Sequence, residues 1–242
     1  MSIFKKMRHL LRSWIDTHPT VYLTLCRIKP ETRQITVSKD KEIVIEGFPR
    51  SANTFAVAAF TFAQGRPVKI ARHLHAPAQV TEAVRRGIPC IVLIRNPRDA
   101  VLSLLVRAPH ISAEQALKDY IRFYRTVAPY RDKFVVGRFE EVTTGFGKVI
   151  RRVNARFSIN FKPFEHTEQN LQKVFQIVEE MDKQDTGLNE VKEETVARPS
   201  AYRKKLKKKM EAKLETPKAR RLLSEAEEVY RMFVEGSEKA VG

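Results

Sequence analysis

Cysteine is scarce. Cys26 and Cys90 are the only two in 242 residues, far apart and each in an apolar context. This excludes a disulfide framework and any C-x-x-C zinc spacing, and predicts two buried small hydrophobes in a reducing compartment. Long apolar runs are missing too. No stretch approaches the roughly 18 residues a spanning helix needs. The first residues carry Lys and Arg without a long apolar stretch or a small-residue cleavage site, so no secretory signal and a cytoplasmic location are expected. No internal repeat is found, and no low-complexity tract beyond one lysine-rich run. Acidic residues are also in short supply: 28 Asp+Glu against 45 Lys+Arg leave a net charge of +17. Such a balance calls for an anionic partner: a nucleotide, a nucleic acid, a sulfated or phosphorylated substrate, or an anionic lipid surface. With 43% hydrophobic residues the chain still has material for a real core.

That material is patterned. Residues 2–16 place Ile3, Phe4, Met7, Leu10, Leu11 and Trp14 at helical spacing among Lys5, Lys6, Arg8 and Arg12. This predicts a basic amphipathic helix, packed on the domain or lying peripherally on an anionic membrane. A polar connector is expected over 30–41. Short β-type runs follow at 42–46, 67–74, 89–95 and 134–138, separated by helical patterns at 51–63, 77–86, 99–107 and 113–130. Further helices are expected at 146–157, 167–182 and 217–233, with a loop over 183–200 and a basic stretch over 201–213. Strands alternating with helices predict an α/β fold, a three-layer sandwich with a parallel β-sheet flanked by helices. The expected organisation is an N-terminal basic helical segment (1–40) and an α/β core (41–182). Residues 183–242, a loop and basic helices, complete the same domain.

The turn after the first strand reads Gly47-Phe48-Pro49-Arg50-Ser51-Ala52-Asn53-Thr54-Phe55. A strand-to-helix turn aims free N–H groups and a helix N-terminus at one spot, which suits a phosphate and equally suits an ordinary helix cap. It is not a Walker A loop, because Ala52 and Asn53 stand where that motif has Gly and Lys. The strand over 89–95 ends in Arg95, not in a Mg²⁺-binding Asp, so binding without a metal is expected. Arg95 and Ser103, at the carboxyl end of that strand and on the next helix, can converge on a second anion. Arg98 and Asp99 read as a local ion pair at that helix's start.

These residues carry a resemblance. Pro49-Arg50-Ser51-Ala52-Asn53-Thr54-Phe55 resembles the P-K/R-S-G-T-T-W loop of the sulfotransferases that use 3′-phosphoadenosine 5′-phosphosulfate (PAPS). Arg95-Asn96-Pro97-Arg98-Asp99-Ala100-Val101-Leu102-Ser103 resembles that family's R-N-P-K/R-D-x-x-x-S element, and Arg138-Phe139-Glu140-Glu141-Val142 its R-Y-E-D-L landmark. The three occur in order over about residues 42–145. The resemblance implies a fold like that of P-loop nucleoside-triphosphate hydrolases and PAPS as co-substrate, with adenosine 3′,5′-bisphosphate as product. The acceptor is an unidentified hydroxyl or amine, with a carbohydrate or glycolipid as its expected class. It further implies that the N–H groups of residues 51–54, with the Ser51 and Thr54 hydroxyls, hold the 5′-phosphosulfate. Arg50 would stabilise the bridging oxygen, Phe55 would stack on adenine, and Arg95 and Ser103 would hold the 3′-phosphate. Arg203 and Lys204 would replace the family's late R-K-G-x-x-G-D-W loop. Ala52 stands for the usual Gly, so an ordinary backbone conformation is expected there.

The general base is sought in Arg72-His73-Leu74-His75-Ala76-Pro77. His75 satisfies the family's H-x-P context. His73, two residues earlier, is expected on the same side of an extended strand. A neutral imidazole takes a hydroxyl proton near pH 7, so His75 is the favoured base, with His73 as its alternative or helper and Glu82 and Glu46 as carboxylate alternatives. The competing reading is a basic nucleotide- or nucleic-acid-binding α/β module without transferase activity. The lysines of 203–213 favour it, but they lack the interleaved aromatics of single-strand binders, so nucleic acid is not the expected partner.

Overall fold

A computed structural model describes residues 19–198 and 200–235. The basic helix expected over 2–16 lies outside these described residues. The chain opens with α1 (Pro19–Ile28) and a single turn α2 (Pro30–Arg33), and then alternates. Strand β1 (Ile43–Gly47) is followed by α3 (Asn53–Gln64), β2 (Ile70–Arg72) by α4 (Pro77–Arg86), and β3 (Cys90–Ile94) by α5 (Pro97–Arg107) and α6 (Ala113–Val127). Strand β4 (Val135–Arg138) runs directly into α7 (Phe139–Phe157), and α8 (Glu168–Thr186), α9 (Ala201–Met210) and α10 (Pro217–Glu235) complete the described chain.

The four strands form one parallel sheet in the order β2-β1-β3-β4. Side chains alternate across it. Ile43, Ile45, Ile91 and Leu93 pack on α3, α7 and α8, whereas Val44, Cys90, Val92 and Ile94 pack on α1, α4, α5, α6 and α10. The molecule is therefore an α/β fold with helices on both faces of the sheet. Both faces of β1 and β3 are covered, so their near-continuous aliphatic runs are what a central parallel strand requires. Each fully buried branched side chain there contributes about 1.5–3 kcal/mol. Cys26 and Cys90 are both buried and unbridged. Among the described residues, no helix is long and apolar enough to cross a membrane.

Several local expectations are corrected. β2 is three residues long instead of eight, because Pro67 lacks a ladder donor and His73 leaves the β region with φ 57°. The helix expected from 146 begins at Phe139 and is bent at Gly145, where φ is −164°. The start of α5 is capped by Asn96, whose side chain accepts the Asp99 N–H. Arg98 and Asp99 do not pair with each other: Arg98 lies 3.8 Å from Glu215, and Asp99 lies 3.9 Å from Lys207.

The strand order places the site. From β1 the chain steps to β2 on one side, then returns to β3 on the other, through helices on opposite faces of the sheet. The turns after β1 and β3 thus diverge at the carboxyl edge and leave a crevice between them. The two strands are held unusually close there. A Cβ on Gly47 would stand 2.4 Å from the Leu93 carbonyl oxygen. Two tyrosines of α6 tie down the end of β3: Tyr124 donates to the Leu93 carbonyl and Tyr120 to that of Arg95, each at 2.7 Å.

Candidate functional site: an arginine-lined crevice

The turn after β1 has an alternating backbone. Arg50 (φ 69°) and Ala52 (φ 71°) are left-handed, with Ser51 at negative φ between them. Alternation of hand turns successive N–H groups to one side and makes an anion-binding concavity. The expectation of an ordinary conformation at Ala52 is thereby overturned: the alanine adopts the backbone a glycine would take, at a cost of about 1 kcal/mol. Ala52 also supplies no side-chain cap to α3, so the first-turn N–H groups open on the same concavity. Asn53, buried, pins the turn by donating from Nδ2 to the Phe48 carbonyl at 3.0 Å. The Ser51 hydroxyl is fully buried and lies beside the Tyr124 hydroxyl. Pro49 and Thr54 are half-buried in the same turn.

Around this turn stand five cations. Arg50 donates from Nε to the Ser103 hydroxyl at 3.0 Å and from its two Nη groups to the Thr195 and Val196 carbonyls at 3.1 and 3.2 Å. Arg95 donates to the Arg50 carbonyl at 3.1 Å, lies 3.8 Å over the Phe139 ring, and keeps a buried Nε without a hydrogen-bond partner among the described residues. Arg203, only 5% exposed, reaches Ser103 at 3.3 Å and the Glu193 and Glu194 carbonyls at 2.7 Å. Arg107 donates to the Thr195 carbonyl at 2.6 Å. Lys207, one turn after Arg203, completes the set. Its ammonium is depressed to about 8 by burial and by Arg95, Arg203 and Arg50, against which Asp99 acts only partly. Burial and the facing Arg203, Arg107 and Arg95 likewise push Arg50 well below the usual guanidinium range.

Backbone carbonyls, not carboxylates, satisfy most of these donors. Asp182 lies 3.7 Å and Asp185 3.9 Å from Arg107, and neither is paired with Arg50, Arg95 or Arg203 by an ion contact. Guanidinium groups stay charged in proteins. Mutually repelling cations around a buried serine and an N–H concavity are an arrangement whose chemistry suits an anion carrying more than one charged group.

Both histidines flank this turn, but not as expected. β2 ends at Arg72, and His73 and His75 both have positive φ (57° and 52°). Their rings lie 6.0 Å apart across Leu74, on two left-handed residues and not on an extended pleat. Arg50, Ala52, His73 and His75 account for four of the five non-glycine residues with positive φ among those described. Strain of this kind gathers where a site demands it.

Hydrogen bonds separate the two rings chemically. Arg72 donates to His73 Nδ1 at 2.7 Å, which assigns the His73 proton to Nε2 and spends its lone pair. Burial, then the neighbouring His75, Arg72 and Arg107, hold His73 well below the ordinary histidine range, so it stays neutral. His75 Nδ1 lies 2.9 Å from the Gly47 carbonyl. A carbonyl only accepts, so the His75 proton sits on Nδ1 and the basic lone pair on Nε2. Glu46 Oε1 lies 3.7 Å from the same Nδ1. Glu82, the other carboxylate alternative, is taken up by Arg85 and Arg86 on α4.

Phe55 and Lys204 do not join the site. Phe55 is 4% exposed and packs against Phe164, Phe175 and His166, which leaves no ring face open for an adenine. Lys204 is exposed, whereas Lys207 is half-buried beside Arg95, Arg203 and Arg50. Arg107 and Lys207 were not foreseen, although each lies four residues after a site residue on the same helix, Ser103 and Arg203 respectively. No family model matches the chain, and no curated protein matches it.

Proposed function

We propose that the chain is a PAPS-dependent sulfotransferase with a P-loop-like nucleotide cradle, transferring a sulfuryl group to a hydroxyl or amine acceptor such as a carbohydrate or glycolipid. The observation that carries this reading is the cation cluster around Ser103 beside the alternating turn, at the crevice between β1 and β3. A nucleotide with phosphates at both 5′ and 3′ positions has the charge to use both parts. The N–H groups of residues 51–54 and the Ser51 and Thr54 hydroxyls would receive the 5′-phosphosulfate. Arg95, Ser103, Arg203 and Lys207 would hold the 3′-phosphate. Arg50, now bonded to Ser103 and the 195–196 carbonyls, would turn to the bridging oxygen and stabilise its growing charge. His75 Nε2 takes the acceptor proton as the acceptor oxygen bonds to sulfur, and the sulfur–oxygen bond to the leaving nucleotide breaks. His73, with its lone pair held by Arg72, would act only as a donor from Nε2.

Calorimetry with adenosine 3′,5′-bisphosphate and with AMP tests the reading. The 3′-phosphate contacts are charge-assisted, worth about 1.5–3 kcal/mol, so AMP is expected to bind at least about tenfold more weakly. Equal affinities, or retention by nucleic acid without binding of the bisphosphate, would overturn it. A screen of acceptors with labelled PAPS then identifies the second substrate.

A further inference from the structure

Glu46 is hard to explain as a structural residue. It sits in the aliphatic strand β1, next to the central strand β3, with no exposed surface. A carboxylate buried there is expensive, and an apolar residue would fit β1 better. It is nonetheless well held. Oε2 accepts the Leu74 N–H and the Gln79 amide, both at 3.1 Å, and Oε1 accepts the Gly47 N–H at 3.4 Å. Oε1 also faces His75 Nδ1 at 3.7 Å. The same carboxylate thus fixes both ends of the geometry, the turn after β1 and the loop that carries His75. A neutral amide would accept the same N–H donors; what only a carboxylate adds is negative charge beside the ring. The His75 side chain is itself 28% exposed.

We propose that Glu46 is a positioning residue: beside the Gly47 carbonyl, which holds the His75 proton on Nδ1, its carboxylate holds the loop that carries His75 and steadies the imidazolium formed when Nε2 takes the acceptor proton. The proton stays on His75 and does not pass to Glu46. This inference rests on the sulfotransferase reading for the identity of the reaction, and on geometry alone for the pair. The surrounding groups leave these two to titrate together. Burial raises Glu46 from 4.5 to about 7, into the range of an imidazole, so the pair titrates as a unit. Cys90 from β3 and Tyr124 from α6 are pushed up out of that range by burial. Arg72 from β2 remains cationic, and His73 is held neutral.

The test is a nitrogen-15 NMR titration of the histidines in the full chain, with His75 assigned by its loss in His75→Asn. In the wild type, His75 is expected to show a protonated Nδ1 and a pyridine-type Nε2 when neutral. In Glu46→Gln, its titration is expected to fall by about 1 pH unit or more, because a neighbouring charge is removed. The Nδ1–H form, held by the Gly47 carbonyl, should persist, and the affinity for adenosine 3′,5′-bisphosphate should stay within about twofold. Glu46→Asp, which keeps the charge, should retain most of the wild-type titration and also serves if Glu46→Gln does not fold. An unchanged His75 titration in Glu46→Gln would overturn the proposal, as would equal shifts in the Gln and Asp variants. Failure of the bisphosphate to bind any of these proteins would instead overturn the nucleotide reading, and would leave the measured Glu46–His75 coupling standing.

Discussion

Lys207 is placed for a ligand and against the stability of the fold, and Lys207→Met should separate the two. Its side chain is 23% exposed, and burial with Arg95, Arg203 and Arg50 lowers it from 10.5 to about 8. That drop corresponds to about 3 kcal/mol by which the folded state disfavours the charged amine. Partial exposure discounts this figure, and loss of the 3.9 Å contact with Asp99 removes about 0.2–1 kcal/mol. Methionine, of similar length and without charge, should therefore stabilise the ligand-free protein at neutral pH by about 1–2 kcal/mol. For a chain of this size that raises the melting temperature by roughly 3–8 °C. The sign with pH is fixed. A group depressed in the folded state gives stability that is present above its unfolded value of 10.5 and lost as pH falls through about 8. The wild type should thus gain on the variant between pH 8 and 10.5, and the calorimetric difference seen at neutrality should shrink over that interval. Binding should move the other way. Losing a charge-assisted contact weakens adenosine 3′,5′-bisphosphate binding by about tenfold or more. A less stable Lys207→Met at pH 7, or unchanged bisphosphate affinity, would refute the reasoning.

Two backbone predictions accompany it. Ala52→Gly should raise stability by up to about 1 kcal/mol, because relief of the left-handed alanine exceeds the extra unfolded-state freedom of glycine, with bisphosphate binding retained. A lower denaturation midpoint would contradict the φ of 71° at that position. Gly47→Ala should cost about 3 kcal/mol or more, since its Cβ would meet the Leu93 carbonyl oxygen at 2.4 Å and β3 is packed on both faces and cannot retreat. Urea unfolding with a wild-type midpoint would disprove that close approach.

The alternation of strands and helices was legible because both faces of β1 and β3 are buried and leave unmistakable aliphatic runs. α1 was not. Tyr22, Leu23 and Cys26 are buried while Val21, Leu25 and Ile28 are exposed, so apolar residues surround the helix and no amphipathic period stands out. The helix after β4 was placed too late for a related reason. Gly145 reads as a break, and the chain does bend there, but the first turn from Phe139 already satisfies the helical period through Val142 and Phe146. β2 was overextended because a residue's hand of φ is set by the turn it serves. Nothing in the side chains of His73 and His75 announces a left-handed backbone.

The same distinction runs through the site. Arg50, Arg95 and Ser103 were legible since each follows a strand or opens a helix, where sequence neighbours stay spatial neighbours. Arg107 and Lys207 were hidden because their place depends on two helices, α5 and α9, meeting with Ser103 and Arg203 face to face. A spacing of four residues on each helix puts the second cation on the same side as the first, so the spacing was visible but the meeting was not. Glu46 was visible only as an alternative base, and its positioning role was hidden: a charged residue inside β1 reads as a flaw in a good strand until the hydrogen bonds from Gly47, Leu74 and Gln79 are seen. Glu46 and these cations share one physical trait. Each opposes folding where it stands, as a buried charge or as a cation among cations, and the groups that relieve it, an anion for the arginines and lysine and an imidazole proton for the carboxylate, are those that a phosphosulfate donor and a base-assisted acceptor would use.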